Sequence, residues 1–495
     1  MKKKNYLLIV AALLISCMAG PEAFSQMGKR FPSEKKIVID PVTGTPLTFL
    51  TSTPKGDSKM YQTDPQWSSD GQWLIFRGNR VPGEALAVNE KTGVIVQVTE
   101  GGYSSNLNIC RKSMRLFIMR RVETAPVAPA APAAPTANAR QAGNAPAGGP
   151  GQRQGGGGGR GQQPGNPVQV IEINLARLFA DSEAGKLQKS TSYERICGTI
   201  PAEMGAGGWA IDANEDYAYF VAGGSEVSSH PAALTTIPQV FIGRNGGTAV
   251  SGLGSINLNT GAVKYIISTP FSIGHLQVNP WMPGELVFCW ETGGKAPQRT
   301  WIVNSDGTGF RALYPESEME WITHEAVITK DEVAFFIMGH RPVGTTYQTP
   351  SDPPEIVDPL NPGQQRAWGP SGTREKPTGL GVVNIRTREM RIEAQTSSGS
   401  GLWHGNGSED GRWLVGDDFS RSIYLIDRHT HEMIMISTGH KPTAQDHTHP
   451  SFSPDGTKIE IQSAMLSEDN RTMNICLIPV PQTWLNRTYS KIAPK

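Results

Sequence analysis

Five of the ten histidines share one sequence context, just before a short turn-and-strand unit. They are His275, His324, His404, His447 and His449. His447 and His449 are two residues apart, so on a strand both side chains point to the same face. Imidazoles that converge on one point are good ligands for divalent transition metals. The pattern predicts that His404, His447 and His449 bind a metal; the alternative is that they are ordinary polar residues at strand ends.

Arg299 begins a strand in the unit that leads to His324. A guanidinium group can bind a carboxylate through two parallel hydrogen bonds, so Arg299 is a candidate for binding an acidic substrate. The alternative is a surface ion pair. Four other histidines stand in insert or turn-like contexts and are predicted to lie at the surface: His230, His429, His431 and His440.

Several catalytic motifs are missing from the sequence. It has no G-x-S-x-G nucleophile motif, no HExxH zinc motif, no P-loop and no dinucleotide-binding fingerprint. After the leader, four scattered cysteines remain without a CxxC pair, so we expect buried free thiols: Cys110, Cys197, Cys289 and Cys476. The net charge of +1 provides no electrostatic footprint for nucleic acid.

The element that positions the histidines is a repeated strand, Asp-Gly turn, strand unit. It is clearest at Asp64–Phe76, Gly405–Val415 and Pro450–Ile461. Seven copies can be aligned on the first apolar residue after the turn: Leu74, Leu116, Ala218, Leu286, Val333, Leu414 and Ile459. The first two are 42 residues apart and the last two 45.

A period of about 45 residues with several short strands is typical of a β-propeller, and seven copies predict seven blades. Equivalent points of the blades surround one axis, which would bring the histidines together. Residues Lys36–Asp40 are expected to add a strand to the last blade and close the ring. No helical periodicity stands out. The 55 glycines and 37 prolines agree with this turn-rich, all-β fold.

Two segments are expected to lie outside the propeller, which we place at residues 26–486. Residues 124–166 contain 11 Gly, 7 Pro and 11 Ala without an acidic or aromatic residue, and predict a disordered insert. Residues 1–25 resemble a signal peptide: three lysines precede a short apolar run. Cleavage after Ser25 is preferred, and a lipobox that would lipidate Cys17 is the alternative. In both cases we expect export to the periplasm or to an envelope membrane, without a transmembrane span.

The chain resembles the oligogalacturonate lyase family, which are seven-bladed propeller polysaccharide lyases. The likeness runs over most of residues 35–485. It depends on the ordered set Arg299, Ile322-Thr-His-Glu325, His404 and Asp446-His-Thr-His-Pro450. The resemblance implies a manganese ion bound by His404, His447 and His449. It also implies that His324 is the catalytic base and that Arg299 assists at the substrate carboxylate.

The resemblance has two local departures. The family has a glutamine ligand three positions before the first histidine of the pair, where this chain has Ala444. The adjacent Gln445 is the candidate fourth ligand, and a local shift or a water are the other ways to fill that place. Thr448 also stands where a proline is common.

The implied function is that of an exported lyase that cleaves short uronic-acid oligosaccharides by β-elimination with Mn²⁺ as cofactor. The expected partner is the oligosaccharide substrate, and the expected state is a monomer or a small homo-oligomer. Two alternatives stay open. One is a non-catalytic periplasmic propeller that acts as a binding or scaffold module, and the other is a lyase for a different acidic glycan.

Overall fold

The computed structural model describes residues 26–122, 166–233, 251–291, 298–316, 320–340, 379–395 and 402–489. The expected signal peptide and its lipobox alternative lie outside these ranges, as does the expected insert except for Asn166. Within the described ranges, no helix is long and apolar enough to cross a membrane.

The described strands form seven antiparallel sheets of four or five strands, which confirms the predicted seven-bladed β-propeller. Strands are numbered along the chain. Blade 1 contains β1 (Arg30–Phe31), β4 (Asp57–Lys59), β5 (Trp73–Gly78), β6 (Ala85–Asn89) and β7 (Ile95–Gln97). Blade 2 contains β8 (Ser104–Ile109), β9 (Arg115–Arg121), β10 (Val168–Asn174) and β11 (Glu194–Ile200). Blade 3 contains β12 (Trp209–Ile211), β13 (Tyr217–Ala222), β14 (Ser251–Asn257) and β15 (Val263–Thr269).

The remaining blades carry the site histidines. Blade 4 contains β16 (Ile273–Val278), β17 (Glu285–Trp290), β18 (Thr300–Asn304) and β19 (Arg311–Ala312). Blade 5 contains β20 (Glu320–Thr329), β21 (Glu332–His340), β22 (Gly379–Asn384) and β23 (Met390–Ala394). Blade 6 contains β24 (Leu402–Gly407), β25 (Trp413–Asp418), β26 (Ile423–Asp427) and β27 (Met433–Ser437). Blade 7 contains β2 (Lys36–Ile39), β3 (Pro46–Phe49), β28 (Ser451–Phe452), β29 (Lys458–Ser463) and β30 (Asn474–Pro479).

The inner strands of neighbouring blades contact one another in order around the axis, from β8 through β12, β16, β20 and β24 to β28. The strand next to each inner strand is the core of its blade. It carries the repeated apolar residue predicted from the sequence, and all seven of these residues are fully buried: Leu74, Leu116, Ala218, Leu286, Val333, Leu414 and Ile459. The repeated apolar residue therefore marks a buried position of each blade that packs in the core.

The Asp-Gly turns repeat one set of contacts. In blade 1 the hydroxyl of Ser68 donates to Asp70 at 2.6 Å, and Gly71 has a φ of 68°. The left-handed conformation explains why glycine stands there. The same contact recurs in blades 6 and 7, from Ser408 to Asp410 at 2.7 Å and from Ser453 to Asp455 at 2.6 Å.

The N-terminal strands close the ring, as the sequence predicted. β2 pairs with β3, and β3 pairs with β30 of the last blade. β1 pairs with β7 of blade 1, so the first described residues belong to both blades that meet at the closure.

The helix Leu175–Ala184 was missed, and the expectation of no helical periodicity was wrong there. Asn174 caps its first turn by accepting from the backbone N–H of Arg177 at 2.9 Å. Its buried residues Leu175, Leu178 and Phe179 follow helical spacing, but 10 residues are too few for a clear periodic signal. Three shorter helical turns are described: Ser190–Ser192, Ser225–Ser229 and Gln482–Leu485.

Two further expectations have clear outcomes. The four cysteines are free and buried, as predicted. His440, in contrast, was expected at the surface and is fully buried. Its two ring nitrogens contact the hydroxyls of Ser437 and Ser463, each at 2.8 Å, and these two bonds satisfy the ring away from water.

The closure can be tested with Phe49→Ala. Phe49 is fully buried in β3, and its loss should lower the free energy of unfolding by about 3–5 kcal/mol. Urea denaturation followed by tryptophan fluorescence measures the change. Ile37→Ala on the neighbouring β2 is the matched control, because Ile37 is 70% exposed and its truncation should change stability by less than about 0.5 kcal/mol. Equal losses from the two variants would contradict this account of the closure.

Candidate active site and metal-binding histidines

The site histidines lie at irregularities in the inner strands of blades 4 to 6 and in the segment just before β28 of blade 7. Strand pairing shifts register between Gly274 and Gln277 in β16, between Thr323 and Ala326 in β20, and between Leu402 and His404 in β24. Such β-bulges turn side chains out of the regular alternation and are common beside active sites.

Three of these histidines have a left-handed backbone. The φ angle is 46° at His275, 51° at His324 and 49° at His449. A positive φ is uncommon for a residue with a Cβ, and it persists only where the surrounding structure enforces it. The repeated conformation at one level of three blades indicates that it serves to aim imidazoles at the axis.

The imidazoles form one cluster. The ring of His404 is the centre of it, and its centroid lies 4.1 Å from that of His324, 4.6 Å from that of His447 and 4.4 Å from that of His449. His275 is farther out, with its ring 5.9 Å from that of His324. The structure therefore brings the five histidines of the sequence pattern to one place.

The donor atoms of His404, His447 and Asp417 lie within 4.8 Å of one another. Nδ1 of His447 is buried and has no hydrogen-bond partner among the described residues. Burial, and then the neighbouring imidazoles, lower the pKa of His404 and His447 well below the usual value, so both rings are neutral. Neutral imidazoles beside a carboxylate form a suitable donor set for a divalent transition metal.

Asp417 received no role in the sequence-based predictions, and it contacts both the backbone and the ring of His404. Its Oδ1 accepts from the backbone N–H of His404 at 2.8 Å and lies 3.2 Å from Nδ1 of that ring. Its Oδ2 accepts from the hydroxyl of Thr448 at 2.6 Å. The threonine that replaces a common proline thus joins blade 7 to the aspartate of blade 6.

Gln445, the candidate fourth ligand, does not lie in the cluster. Its side chain is exposed, and its backbone N–H donates to the carbonyl of Arg471 at 3.1 Å. The glutamine beside the histidines is the buried Gln462 on β29, whose Nε2 lies 3.3 Å from Nδ1 of His449. The spacing of residues around the histidine pair could not identify a ligand on the next strand.

His324 lies next to His404. Its Nδ1 is 3.0 Å from the hydroxyl of Thr323, and the ring of Trp403 packs edge-on at 4.4 Å. Burial, followed by the effects of His404 and Arg299, lowers the pKa of His324 well below its usual value. The ring is therefore neutral, which is the form that can accept a proton.

Arg299 lies in a second cluster, next to His324 and on the blade 4 side. Its guanidinium is almost fully buried and lies 3.6 Å from both Glu291 and Glu325. Burial opposes its charge, but Cys289, Glu325 and Glu291 outweigh burial and raise the pKa of Arg299. Both contacts exceed hydrogen-bond length, so an acidic ligand can compete for the guanidinium.

Tyr61 was not predicted from the sequence, because nothing in the loop after β4 marks it. Its ring lies 5.0 Å from His275 and 5.1 Å from His449, so it packs between the two clusters. Its hydroxyl is buried without a hydrogen-bond partner among the described residues. Burial, and then the charge of Glu325, raise the pKa of Tyr61 well above its usual value.

The sequence matches no protein-family profile and no curated protein. Solved structures do match. An oligogalacturonate lyase in complex with manganese has a TM-score of 0.62 over 93% of this chain and 100% of that chain, at 17% identity. The oligogalacturonate lyase of Vibrio parahaemolyticus gives the same TM-score and coverage at 16% identity. This chain has the fold of the oligogalacturonate lyases. At this identity the likeness shows the fold alone.

Asp417→Asn should weaken Mn²⁺ binding about 10- to 100-fold, because the amide removes a negative charge beside the donor nitrogens and alters the support of His404. Isothermal titration calorimetry measures the affinity. Asp418→Asn is the matched control: its side chain points to the other face of β25 and accepts from Tyr424 at 3.2 Å. Unchanged Mn²⁺ affinity in Asp417→Asn would contradict the assigned donor set.

Proposed function

We propose that this protein is a metal-dependent lyase that cleaves short uronic-acid oligosaccharides, such as oligogalacturonides, by β-elimination. The observation that carries the proposal is the position of a neutral imidazole, His324, in contact with His404 of the imidazole–carboxylate donor set and close enough to the buried Arg299 for the two to interact electrostatically. The lyase fold supports the same conclusion.

The reaction breaks the bond from C4 of a uronide to its glycosidic oxygen. It removes the C5 proton, which is acidic because it lies α to the C6 carboxylate, and negative charge develops on that carboxylate. A divalent cation bound by His404, His447, His449 and Asp417 would stabilise this charge electrostatically. Mn²⁺ is the expected ion.

In this mechanism His324 accepts the C5 proton. A positioned base of this kind typically contributes about 10²–10⁴-fold to the rate. Thr323 holds Nδ1 at 3.0 Å, which leaves Nε2 for the substrate. Arg299 binds the C6 carboxylate and counters the charge that develops there.

The proposal includes the location and the partner. Residues 1–25 would direct export, and the oligosaccharide would reach the protein in the periplasm or at the envelope membrane. The near-neutral chain supports capture of an anionic sugar by the local cation and Arg299 rather than by a basic surface.

Activity is tested with the chain from residue 26 onward, Mn²⁺ and oligogalacturonide. The expected product is unsaturated between C4 and C5 and absorbs ultraviolet light. His324→Ala should lower kcat about 10²–10⁴-fold, because the base is lost. His429→Ala is the control, since that histidine is exposed and distant from the cluster. Full activity of His324→Ala on a substrate that is cleaved would refute the assignment of the base.

Metal dependence is tested by elemental analysis and by chelation. The purified protein should contain one divalent ion per chain, His447→Ala should lose it, and activity removed by a chelator should return with Mn²⁺. A stoichiometric ion in the wild type that His447→Ala loses would exclude a non-catalytic scaffold. Metal content unchanged by His447→Ala would contradict the proposed site.

A second candidate is a lyase for another acidic glycan. The exposed side chain of Gln445 and the presence of Asp417 in the donor set favour it, because both depart from the ligand set that the family resemblance implied. A panel of uronic-acid oligosaccharides, read by ultraviolet absorbance, decides between the substrates.

A further inference from the structure

His275 belongs to the histidine pattern, yet neither metal binding nor proton abstraction uses it. It lies in the β16 bulge with its side chain 20% exposed, so a ligand can reach it from solvent. Its ring centroid is 5.9 Å from that of His324, with the two planes inclined by 23°. Two groups at this separation can act on adjacent carbons of one sugar, each within hydrogen-bond reach of its atom.

The two histidines have different neighbours. His275 lies between two carboxylates: its Nδ1 is 3.5 Å from Glu325 and its Nε2 is 3.6 Å from Glu291. His324 is surrounded by imidazoles and Arg299 instead. The carboxylates can accept from the ring of His275 and orient it, whereas the ring of His324 is oriented by the hydroxyl of Thr323.

Hydrogen bonds from a neighbouring side chain to the backbone hold the segments of His275 and Glu325 together. The side chain of Gln277 on β16 donates to the carbonyl of Glu325 at 2.8 Å and accepts from the backbone N–H of Val327 at 3.2 Å. The bulges of blades 4 and 5 are therefore joined, although their strands belong to different sheets.

We propose, resting on the elimination proposed above, that His275 donates the proton to the leaving oxygen and that Glu325 is its positioning residue. His324 takes the proton from C5, and the electrons of that C–H bond form the C4=C5 double bond. The C4–O bond breaks, its electron pair stays on the oxygen, and that oxygen takes the proton of Nε2 of His275. The imidazole proton then moves from His324 to His275 through solvent, and the site is ready for the next turnover.

A bound cation is the other use of this cluster, because donor atoms of His275, Cys289 and Glu325 lie within 4.8 Å of one another. The position of Arg299 is evidence against a cation bound there. Its guanidinium lies 3.6 Å from both Glu291 and Glu325, so the carboxylates already face a buried positive charge. Burial also raises the pKa of Cys289 well above its usual value, which keeps the thiol protonated.

The test compares two substrates with the same variants. One is the oligogalacturonide, and the other is a uronide with a 4-nitrophenoxy group at C4, which leaves without protonation. His275→Gln should lower kcat on the oligosaccharide about 10²–10⁴-fold with little change in KM, and its rate on the nitrophenoxy substrate should be near that of the wild type. Glu325→Gln should show the same selectivity with a smaller loss. His324→Ala should be slow on both substrates.

The controls separate the outcomes. His431→Gln, an exposed histidine away from the channel, should match the wild type on both substrates. Equal losses of His275→Gln on the two substrates, or none, would overturn the proton-donor role while the proposed lyase stands. A thiolate absorption band with added Co²⁺ that Cys289→Ser removes would also overturn it, because a metal-bound His275 has no proton to donate. Failure of the wild type to form any unsaturated product would overturn the proposed function itself.

Discussion

The site depends on one backbone constraint: in three blades, a residue in or just before the inner strand has a left-handed backbone at the place where a histidine stands. His275, His324 and His449 all have positive φ angles. Each such residue costs of order 1–3 kcal/mol, which the paired strands around it must offset. The core strands beside the bulges are fully buried at their repeated apolar positions, so the blades can hold this strain. A regular strand would direct the same side chains along the sheet faces instead of toward the axis.

Removal of water then sets the chemistry of the cluster. Several imidazoles and one guanidinium lie in a region with few paths to solvent, and each disfavours positive charge on its neighbours. The anions are segregated: Asp417 lies beside His404 and His447, whereas Glu291 and Glu325 lie beside Arg299 and His275. The result is two clusters, one of imidazoles with Asp417 and one around Arg299, and His324 interacts with both. Residues of the same type thereby acquire different roles from their neighbours.

Much of the fold could be predicted because it repeats. Seven copies of one turn and one apolar position identified seven blades, and a strand-like segment near the start identified the closure. The single helix of 10 residues was missed, because fewer than three turns give little periodic signal. Within the site, the histidines were found by their repeated place, but Tyr61 and Gln462 were not. They reach the cluster from a loop and from a second strand, where no repeat marks them.

The amino-acid sequence by itself determined the blade number, the closure and the level of the blades at which the histidines lie, because these follow from local patterns with a fixed period. The tertiary structure alone decided which residues meet. Gln445 is next to the histidine pair in sequence and faces away from it, whereas Asp417 and Gln462 lie 30 and 15 residues from His447 and contact the imidazoles. Contacts of that kind depend on the register of neighbouring strands and on the direction of each bulge, which are properties of packed sheets.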